Sequence, residues 1–594
     1  MLLALALPLA AQVDILTERY DNARSGANLR ETKLTPSNVN RDHFGKLAFR
    51  IVDGNIYAQP LIVSQAKIAG RPATNVAIVA TEHNSVYAFD AEDLAAEPKG
   101  RESKRALWHT GPAVLGTHVE AEEMGKLFGV TDCTDMTTEV GITGTPAIKL
   151  TTPGSPKEGI IFVVAKSKQG DHFVQKLFAL SLADGTKMGE APIEATVPGL
   201  NPNSSITFDP LIHVNRPALL LEGDILYITF GSHCDEKNYH GWIFAYDVSN
   251  PEAPKKLDAI SDTLTERTGD NAEGRAGIWM SGQGPAADGA GNVFLVTGDG
   301  TFNGTTDFGN SVLNIKLTSG KLKIQDWFTP ANSEQLKILD ADLGSGGALP
   351  VPNSHLLLTG GKEGRLYLLD RNDLGRGHKP ALDSFQVTNN PLSRKAKPSG
   401  QEDILFWNIH GSPVIWPRDN HMSVYVMGEE DHLKQYNLIT DSGAGWRFES
   451  HRPFKASLES TSLPNPPKGL PNDKKRGLVW MPGGFLTLSA NGVNDGIVWA
   501  NMPLAENANS QVVRGILRAF DASDVSNGSK GQLWSSEDEG IPGDSLGMFA
   551  KFCPPTVANG KACVATFQQE RVLKGVHYKM PAGRLPALVI YGLK

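Results

Sequence analysis

One short segment recurs eight times along the chain, and this repetition constrains the fold more than any other feature of the sequence. Each copy is a six-residue stretch of mostly apolar and aromatic residues that a turn follows, and several copies carry Asp at the fifth position. The copies are 86–91, 177–182, 243–248, 312–317, 366–371, 433–438, 517–522 and 588–593. Short segments of this composition, bounded by turn residues, predict β-strands.

Each copy belongs to a longer unit in which we predict four strands. A second apolar segment precedes the copy, a turn segment rich in glycine and proline lies ahead of that, and a tryptophan often follows. Examples of the preceding segment are 75–80, 160–164 and 225–229. The tryptophans that follow are Trp108, Trp327, Trp446 and Trp534. Four-stranded sheets repeated radially form a β-propeller. We therefore predict an all-β fold, an eight-bladed β-propeller of four-stranded antiparallel sheets.

The two ends of the sequence are expected to meet in the last blade. The eighth unit reaches the end of the sequence after its third strand and lacks a fourth strand of its own. We expect residues 44–51 to supply that outer strand, so that pairing of the N- and C-terminal segments closes the ring. Residues 13–594 are then a single domain. A tandem of separate β-domains is the alternative, but the fairly even unit spacing and the lack of a linker disfavour it.

Charge and hydropathy exclude several classes of partner. The 594 residues carry a formal net charge of −8 and no dense run of Lys and Arg, so we expect no nucleic-acid partner. No segment has the roughly 20 consecutive apolar residues of a membrane span. Residues 1–12 are apolar and end in small residues, which is typical of the remnant of a signal peptide. We expect a periplasmic or secreted protein; a disordered apolar N-terminus is the alternative.

The four cysteines do not indicate a disulfide scaffold or a structural zinc site. They are Cys133, Cys234, Cys553 and Cys563, and no two of them form a CxxC pair. A two-residue turn at Asn559–Gly560 would place Cys563 opposite Thr556 and not opposite Cys553, so the sequence does not support a disulfide between Cys553 and Cys563.

Three long insertions interrupt the repeats. They span 95–140, 373–408 and 450–478, and they are polar and punctuated by glycine and proline. Loops of this length are uncommon unless they are functional or disordered. We expect them to shape or cover one face of the ring.

The repeats and the entry segment at 34–47 resemble those of the quinoprotein alcohol dehydrogenases. The similarity covers nearly the whole chain and is nearest to uncharacterised exported bacterial PQQ-like propeller proteins. It implies pyrroloquinoline quinone (PQQ) held over a Ca²⁺ ion at the axis of an eight-bladed propeller. Because a fold does not by itself carry an activity, the site residues must be weighed one by one.

The resemblance implies two metal ligands. In the family, one ligand is a Glu eleven residues before the Asp that ends a third strand, and Glu236 has this spacing from Asp247. The other is the Asn of a Thr-Gly-Asn turn, where this chain has Asp299 after Thr297 and Gly298. Calcium accepts carboxylate oxygens, so both residues are expected ligands. Solvated acids in turns are the alternative.

The resemblance also implies residues for the quinone and for proton transfer. A flat, anionic quinone needs an aromatic face and cations. Trp279 lies twenty residues before Asp299, two more than in the family, and Lys362 occupies the family's basic position before a third strand. A buried structural Trp and a surface Lys are the alternatives. Asp307 follows Asp299 in the stretch where the resemblance implies the general base that takes the substrate hydroxyl proton.

The sequence also departs from the family. No two cysteines are adjacent, whereas the dehydrogenases have a Cys-Cys disulfide against the cofactor. No haem attachment motif is present, so electrons would leave to a separate acceptor. The histidine pairs His233 and His240, and His410 and His421, lack helical metal-ligand spacing and do not favour zinc.

Two functions follow from the sequence. The first is an exported quinoprotein-like oxidoreductase that acts on an alcohol, aldehyde or sugar with PQQ and calcium. The alternative is a non-catalytic propeller that binds a carbohydrate or a protein partner through its long-loop face.

Overall fold

The fold was derived from a computed structural model of the chain. The structure describes residues 12–98, 103–129, 136, 138–152, 154–235, 238–266, 274–388, 393–396, 402–405, 408–429, 431–441, 445–456, 481–504, 507–509, 511–526, 531–537, 543–568, 570–573, 576–579 and 585–594.

Four-stranded antiparallel sheets dominate the described residues, and we number them one to eight along the chain. Sheet one comprises Leu61–Ala66, Thr74–Thr81, Ser85–Asp90 and Ala106–Thr110, and sheet two comprises Ala147–Leu150, Gly159–Gln169, His172–Ser181 and Lys187–Pro192. Sheet three comprises Leu220–Glu222, Ile225–Ser232, Trp242–Asp247 and Lys255–Ser261, and sheet four comprises Ala286–Ala287, Val293–Val296, Val312–Thr318 and Lys321–Phe328.

Sheet five comprises Leu349–Pro350, Leu356–Gly360, Arg365–Asp370 and Asp383–Gln386, and sheet six comprises Val414–Pro417, Met422–Val426, Lys434–Asp441 and Gly445–Phe448. Sheet seven comprises Phe485–Asn491, Asn494–Pro503, Arg514–Asp521 and Gln532–Ser535, and sheet eight comprises Thr556–Ala558, Lys561–Phe567, Ala587–Leu593 and Phe44–Ile51. The short strand Gly547–Phe549 joins sheets seven and eight.

Shorter strands and a few short helices occur in addition to these sheets. Further short strands are Ala27–Asn28, Val119–Glu120, Glu139–Val140, Thr196–Pro198, Ser205–Thr207, His213–Val214, Ser393–Ala396, Glu402–Leu405, Lys455–Ala456, Glu570–Leu573 and Val576–Lys579. The helices are α1 (Pro112–Leu115), α2 (Ala121–Phe128) and α3 (Ser333–Ile338), with 3₁₀ turns at Met280–Gly282, Leu343–Ser345 and Gly375–Gly377. Within the described part of the chain, no helix has the length and apolar character needed to span a membrane.

The prediction of an all-β fold built from four-stranded antiparallel sheets is confirmed, and such sheets are consistent with a β-propeller. Each predicted repeat segment falls on the third strand of a sheet; residues 86–90, for example, lie in Ser85–Asp90. Trp108, Trp327, Trp446 and Trp534 all lie on fourth strands. The number of blades and the closure of a ring stay predictions.

The N- and C-terminal segments pair in sheet eight as expected. Phe44–Ile51 runs antiparallel to Ala587–Leu593, from Phe44 opposite Leu593 to Ile51 opposite Ala587. The buried Phe44 ring lies 5.4 Å from the ring of Trp499 and 5.0 Å from that of Trp534. Strand pairing and aromatic packing therefore join the two ends of the sequence.

The hairpin that opens sheet eight also follows the sequence prediction. Thr556 pairs with Cys563, and Asn559 and Gly560 have φ values of 57° and 84°, the left-handed conformation that a tight two-residue hairpin turn requires. Cys553 and Cys563 are buried free thiols, whereas Cys234 is disulfide-bonded.

Residues 13–31, which we call the N-terminal segment, bond to the first strands of six sheets. Its backbone and side-chain partners on those strands are Ile62, Ile148, Leu221, Ala287, Leu488 and Val557. Because one short segment reaches all of them, these first strands face a common centre. No pattern in the sequence predicted these contacts.

Arg24 is the buried anchor of the N-terminal segment. Its guanidinium donates to the carbonyl oxygens of Pro285 at 2.8 Å and Leu219 at 3.0 Å, and to that of Glu18 at 2.9 Å. Its side chain is fully buried, and burial lowers its pKa to about 10, so it stays charged at neutral pH. One cation thus satisfies carbonyls beside sheets three and four.

We expect Arg24→Met to lower the free energy of unfolding by about 3 kcal/mol or more, because it leaves several buried carbonyl groups without donors. Urea unfolding followed by tryptophan fluorescence measures this change. The exposed Arg41, replaced in the same way, is the control and should unfold like the wild type. A loss for Arg24→Met no larger than that of the control would contradict the anchoring role.

Candidate functional site

A cavity of about 310 Å³ lies near the common centre of the sheets. Ends of second strands from sheets three, four and five contribute to its lining, as do the loops that lead into sheets one, six, seven and eight. Its acidic residues are Asp235, Asp299, Asp340 and Asp342; its cations are Arg216, Lys362 and Lys551; and its aromatic residues are Tyr57, His233, Tyr239, Trp279, His410 and Phe552.

Three carboxylates meet in this cavity from separate segments. Asp299 follows the second strand of sheet four, whereas Asp340 and Asp342 lie between α3 and the 3₁₀ turn Leu343–Ser345. One oxygen from each lies within 4.8 Å of those of the other two. Asp299 and Asp342 are buried, but 60% of the Asp340 side chain is open. We call these three residues the carboxylate cluster.

Gly298 allows the carboxylate cluster to be this compact. The backbone N–H of Asp299 donates to Asp342 Oδ1 at 2.6 Å. A Cβ atom at position 298 would lie 2.8 Å from the same oxygen and 2.9 Å from the Gly277 carbonyl oxygen. Any side chain there would push Asp342 away from Asp299.

Two cations neutralise part of the cluster. Lys362, directly after the second strand of sheet five, places Nζ 2.6 Å from Asp342 Oδ2 and 3.3 Å from Asp340 Oδ2. Arg275 Nη1 lies 3.1 Å from Asp299 Oδ2. Three carboxylates therefore face two cations, and Asp235 adds a further negative charge to the same cavity.

The pKa values reflect this excess of negative charge. Desolvation and then repulsion from Asp342 and Asp235 raise the pKa of Asp299 well above its ordinary value. Although Asp340 is open to the cavity, surrounding protein desolvates it and raises its pKa to about 6, despite Lys362.

The pKa of Asp342 is shifted in the opposite direction, below its ordinary value. Burial alone would raise its pKa, but the charge of Lys362 and hydrogen bonds from Lys362 and the Asp299 backbone outweigh burial and lower it. The cluster thus mixes a firmly ionised carboxylate with two that hold protons more readily. A bound metal cation would displace those protons.

Trp279 provides an aromatic wall beside the cluster. It precedes the 3₁₀ turn Met280–Gly282, in which Met280 and Ser281 have φ values of 40° and 44°. The half-buried ring lies 5.8 Å from the ring of His410 and 6.0 Å from that of Phe552, and Lys362 Nζ lies 5.6 Å from its centre. The ring is held by packing and lines the cavity.

Arg216 brings a buried positive charge to another part of the lining. Its guanidinium lies 5.2 Å from the ring centres of both Tyr57 and Phe552, and the residue is only 7% exposed. Nη2 is buried and has no hydrogen-bond partner among the described residues. Arg216 therefore adds a largely buried positive charge at the edge of the cavity.

The structure brings together three of the residues that the sequence singled out, namely Asp299, Trp279 and Lys362. Glu236, the other predicted metal ligand, lies outside the described residues.

Asp307, predicted as the base, has a different environment. It is fully buried and does not line the cavity. Its Oδ1 accepts from the backbone N–H groups of Leu264 and Thr265, and its Oδ2 accepts from the side chains of Asn303 and Thr306. Because four donors occupy its oxygens, the carboxylate organises its own loop. The predicted role as a base gains no support from these contacts.

Sequence reasoning missed Asp340, Asp342 and Arg216. The first two could have been found, because two acids separated by one residue directly precede the glycine-rich stretch 344–347. Arg216 is a single basic residue between Asn215 and Pro217 and carries no comparable signal.

No profile of a known protein family and no curated protein sequence matches the chain. Several solved structures are similar to it. One is the quinohemoprotein alcohol dehydrogenase ADHIIG from Pseudomonas putida HK5, with 12% identity, a TM-score of 0.49, and coverage of 98% of this chain and 80% of that one. A europium-containing methanol dehydrogenase has 13% identity, a TM-score of 0.48 and coverage of 98% of both chains. Sqt1 from Chaetomium thermophilum has 9% identity and a TM-score of 0.33 over 93% of this chain and 97% of its own.

We expect the carboxylate cluster to bind Tb³⁺, a hard cation whose emission the nearby Trp279 can sensitise. Binding should weaken at least about tenfold between about pH 7.5 and pH 5, because Asp340 must lose a proton whose pKa is about 6 and the raised pKa of Asp299 adds to the effect. Tryptophan-excited Tb³⁺ luminescence measures both effects.

In the same assay, Asp342→Asn should abolish the signal, and Trp279→Phe should dim it while leaving the affinity nearly unchanged. The exposed Asp42→Asn is the matched control. Full binding by Asp342→Asn, or affinity that does not change with pH, would contradict this assignment.

Proposed function

We propose that the protein is a quinoprotein-like oxidoreductase that binds PQQ and a metal cation in this cavity and oxidises an alcohol, aldehyde or sugar. The observation that carries the proposal is the convergence of the carboxylate cluster, Lys362 and Trp279 on one cavity. We also propose that the eight sheets form a closed eight-bladed ring, which the pairing of Phe44–Ile51 with Ala587–Leu593 supports.

The cluster fits a hard metal cation. Calcium takes several oxygen ligands, and Asp299 and Asp342 offer carboxylate oxygens that are already close together. Glu236 stays a proposed further ligand. Because the cavity holds four acidic side chains, a trivalent cation is a reasonable occupant as well as Ca²⁺, and the experiment below includes both.

The rest of the cavity fits a flat, anionic quinone. Trp279 offers an aromatic face, and Arg216 adds a positive charge at the cavity wall that favours an anionic ligand. Lys362 and Lys551 add positive charge to the lining. A volume of about 310 Å³ lies at the lower end of the range for small-molecule sites.

When bound, PQQ would supply the two-electron acceptor for the carbon that carries the substrate hydroxyl. The chain itself must remove the hydroxyl proton, and we assign this role to Asp340 in place of Asp307. Asp340 is open to the cavity, so its carboxylate can reach a substrate hydroxyl beside the cluster. Lys362 holds Asp340 and Asp342 in position through its ammonium group.

We further propose a periplasmic or secreted location and a separate electron acceptor. The disulfide at Cys234 supports the location, because disulfides persist in oxidising compartments. The lack of a haem attachment motif supports the acceptor. The alternative function, non-catalytic binding through the long-loop face, stays a prediction, since most of the segment 450–478 and parts of 373–408 lie outside the described residues.

Reconstitution tests the proposal. Purified protein is incubated with PQQ and either Ca²⁺ or La³⁺, freed of unbound quinone, and assayed for quinone absorbance and dye reduction with a panel of alcohols, aldehydes and sugars. We expect stoichiometric quinone and substrate-dependent reduction. Trp279→Ala should lose most of the bound quinone.

Asp340→Asn should keep the quinone but lose turnover by about 100-fold or more, since general-base catalysis contributes roughly that much. Asp307→Asn separates the two candidate bases: it should lower thermal stability but keep turnover in the folded fraction. Asp42→Asn should match the wild type. No quinone uptake with either cation would overturn the proposed function, and turnover lost only in Asp307→Asn would overturn the assignment of the base.

A further inference from the structure

A second set of metal-ligating side chains lies in the loops next to sheet one. His83 occupies the turn between the second and third strands of that sheet. His118 directly precedes the short strand Val119–Glu120, and Glu139 begins the strand that pairs with it. Two of these residues therefore belong to the insertion after Thr110, and one belongs to the sheet itself.

The donor atoms of the three side chains lie within 4.8 Å of one another. His83 Nδ1 lies 2.8 Å and His118 Nε2 lies 3.1 Å from the same oxygen, Oε2 of Glu139. The two imidazole rings are 4.2 Å apart at an angle of 39°. For comparison, donor atoms around a tetrahedral zinc ion with bonds of about 2.0 Å lie about 3.3 Å apart.

Close packing fixes this arrangement. A Cβ atom at Gly54 would lie 2.6 Å from Glu139 Oε1 and 2.7 Å from the His83 backbone nitrogen, so only glycine fits there. The side chains of His118 and Glu139 are 11% and 12% exposed, whereas that of His83 is 34% exposed. The cluster is shielded from most sides and open on one.

We propose that His83, His118 and Glu139 bind a divalent first-row transition metal such as Zn²⁺. Two imidazole nitrogens and one carboxylate oxygen form a common protein ligand set for zinc, with water or another small ligand at the open position. Glu120 Oε1 lies 3.3 Å from His118 Nε2 and adds negative charge at the rim. The carboxylate cluster of the cavity offers only oxygen and suits hard cations, so the two sites select different metals.

A metal here would join the insertion to sheet one. The strand that carries Glu139 pairs with Val119–Glu120, directly before α2. Phe128 at the end of α2 lies 5.7 Å from the ring of His233, which lines the cavity, and Met136 lines it as well. The metal would therefore hold the base of a segment whose other parts contact the cavity wall.

Cobalt is the probe for this site, because Co²⁺ in a four-coordinate tetrahedral site absorbs visible light far more strongly than octahedral hydrated Co²⁺. The full-length protein is stripped with a chelator and titrated with Co²⁺. We expect one equivalent to bind with intense absorption that Zn²⁺ then abolishes by displacement. Thermal unfolding should shift upward with either metal.

Variants locate the binding site. His118→Ala and Glu139→Gln should each weaken Co²⁺ binding by at least about 100-fold, the upper end of the loss seen when only an outer-shell partner is removed. His83→Gln provides a milder change if His118→Ala fails to fold, which circular dichroism would reveal. The exposed His172, replaced by Ala, should bind Co²⁺ like the wild type.

A cross-test separates this site from the cavity. Asp342→Asn should keep the cobalt spectrum and lose Tb³⁺ luminescence, whereas Glu139→Gln should do the reverse. Wild-type protein with no specific Co²⁺ binding would overturn the proposal and leave the cluster as a histidine–carboxylate ion pair. Retention of the spectrum in both His118→Ala and Glu139→Gln would overturn it as well.

Discussion

The buried polar backbone at the common centre of the sheets needs hydrogen-bond partners, and the N-terminal segment supplies many of them. Buried carbonyl groups without donors are costly, so a segment that reaches the first strands of six sheets contributes far more than its length suggests. Arg24 is central to it, because one guanidinium can serve several carbonyl oxygens at once. Arg19 adds a donor to the Pro413 carbonyl beside sheet six.

The candidate site depends on this centre. Asp299 and Asp342 come from different segments, and they meet only because the strand ends of neighbouring sheets are held close together. Gly298 leaves room for this contact, because a side chain at that position would collide with Asp342. Glu18 of the N-terminal segment, whose pKa burial raises to about 8, is electrostatically coupled to Arg216 of the cavity lining. The segment that anchors the fold thus also influences the charge balance of the cavity.

The sequence revealed the elements of the fold better than their arrangement. Periodic apolar segments and turn residues predicted the third strands, the Asn559–Gly560 hairpin and the partner of Phe44–Ile51, because each depends on local pattern or on an unmatched strand. The N-terminal segment was missed, since residues that bind carbonyl groups in three dimensions follow no period.

The residues of the candidate site likewise fall into those that the sequence identified and those that it missed. Asp299, Trp279 and Lys362 each follow a strand or turn at a recognisable spacing, and the structure brings them together. Asp340 and Asp342 were missed because they form a cluster only with Asp299, which lies some forty residues earlier in the sequence. Asp307 lies in a suitable stretch of sequence, but backbone N–H groups of Leu264 and Thr265 decide its role. Spacing identifies candidates, whereas neighbours in space determine their chemistry.

The pairing of Phe44–Ile51 with Ala587–Leu593 has a consequence for how the chain folds during its synthesis. The two strands are more than 500 residues apart, so this contact has an extreme sequence separation and must form late. Until residues 587–593 have been made, Phe44–Ile51 lacks its partner strand and its Phe44 ring lacks Tyr591. Lys46 places a charge within this strand, and charged side chains on unpaired strands discourage association with other chains. Sheet eight can therefore be completed only after residues 587–593 have been synthesised.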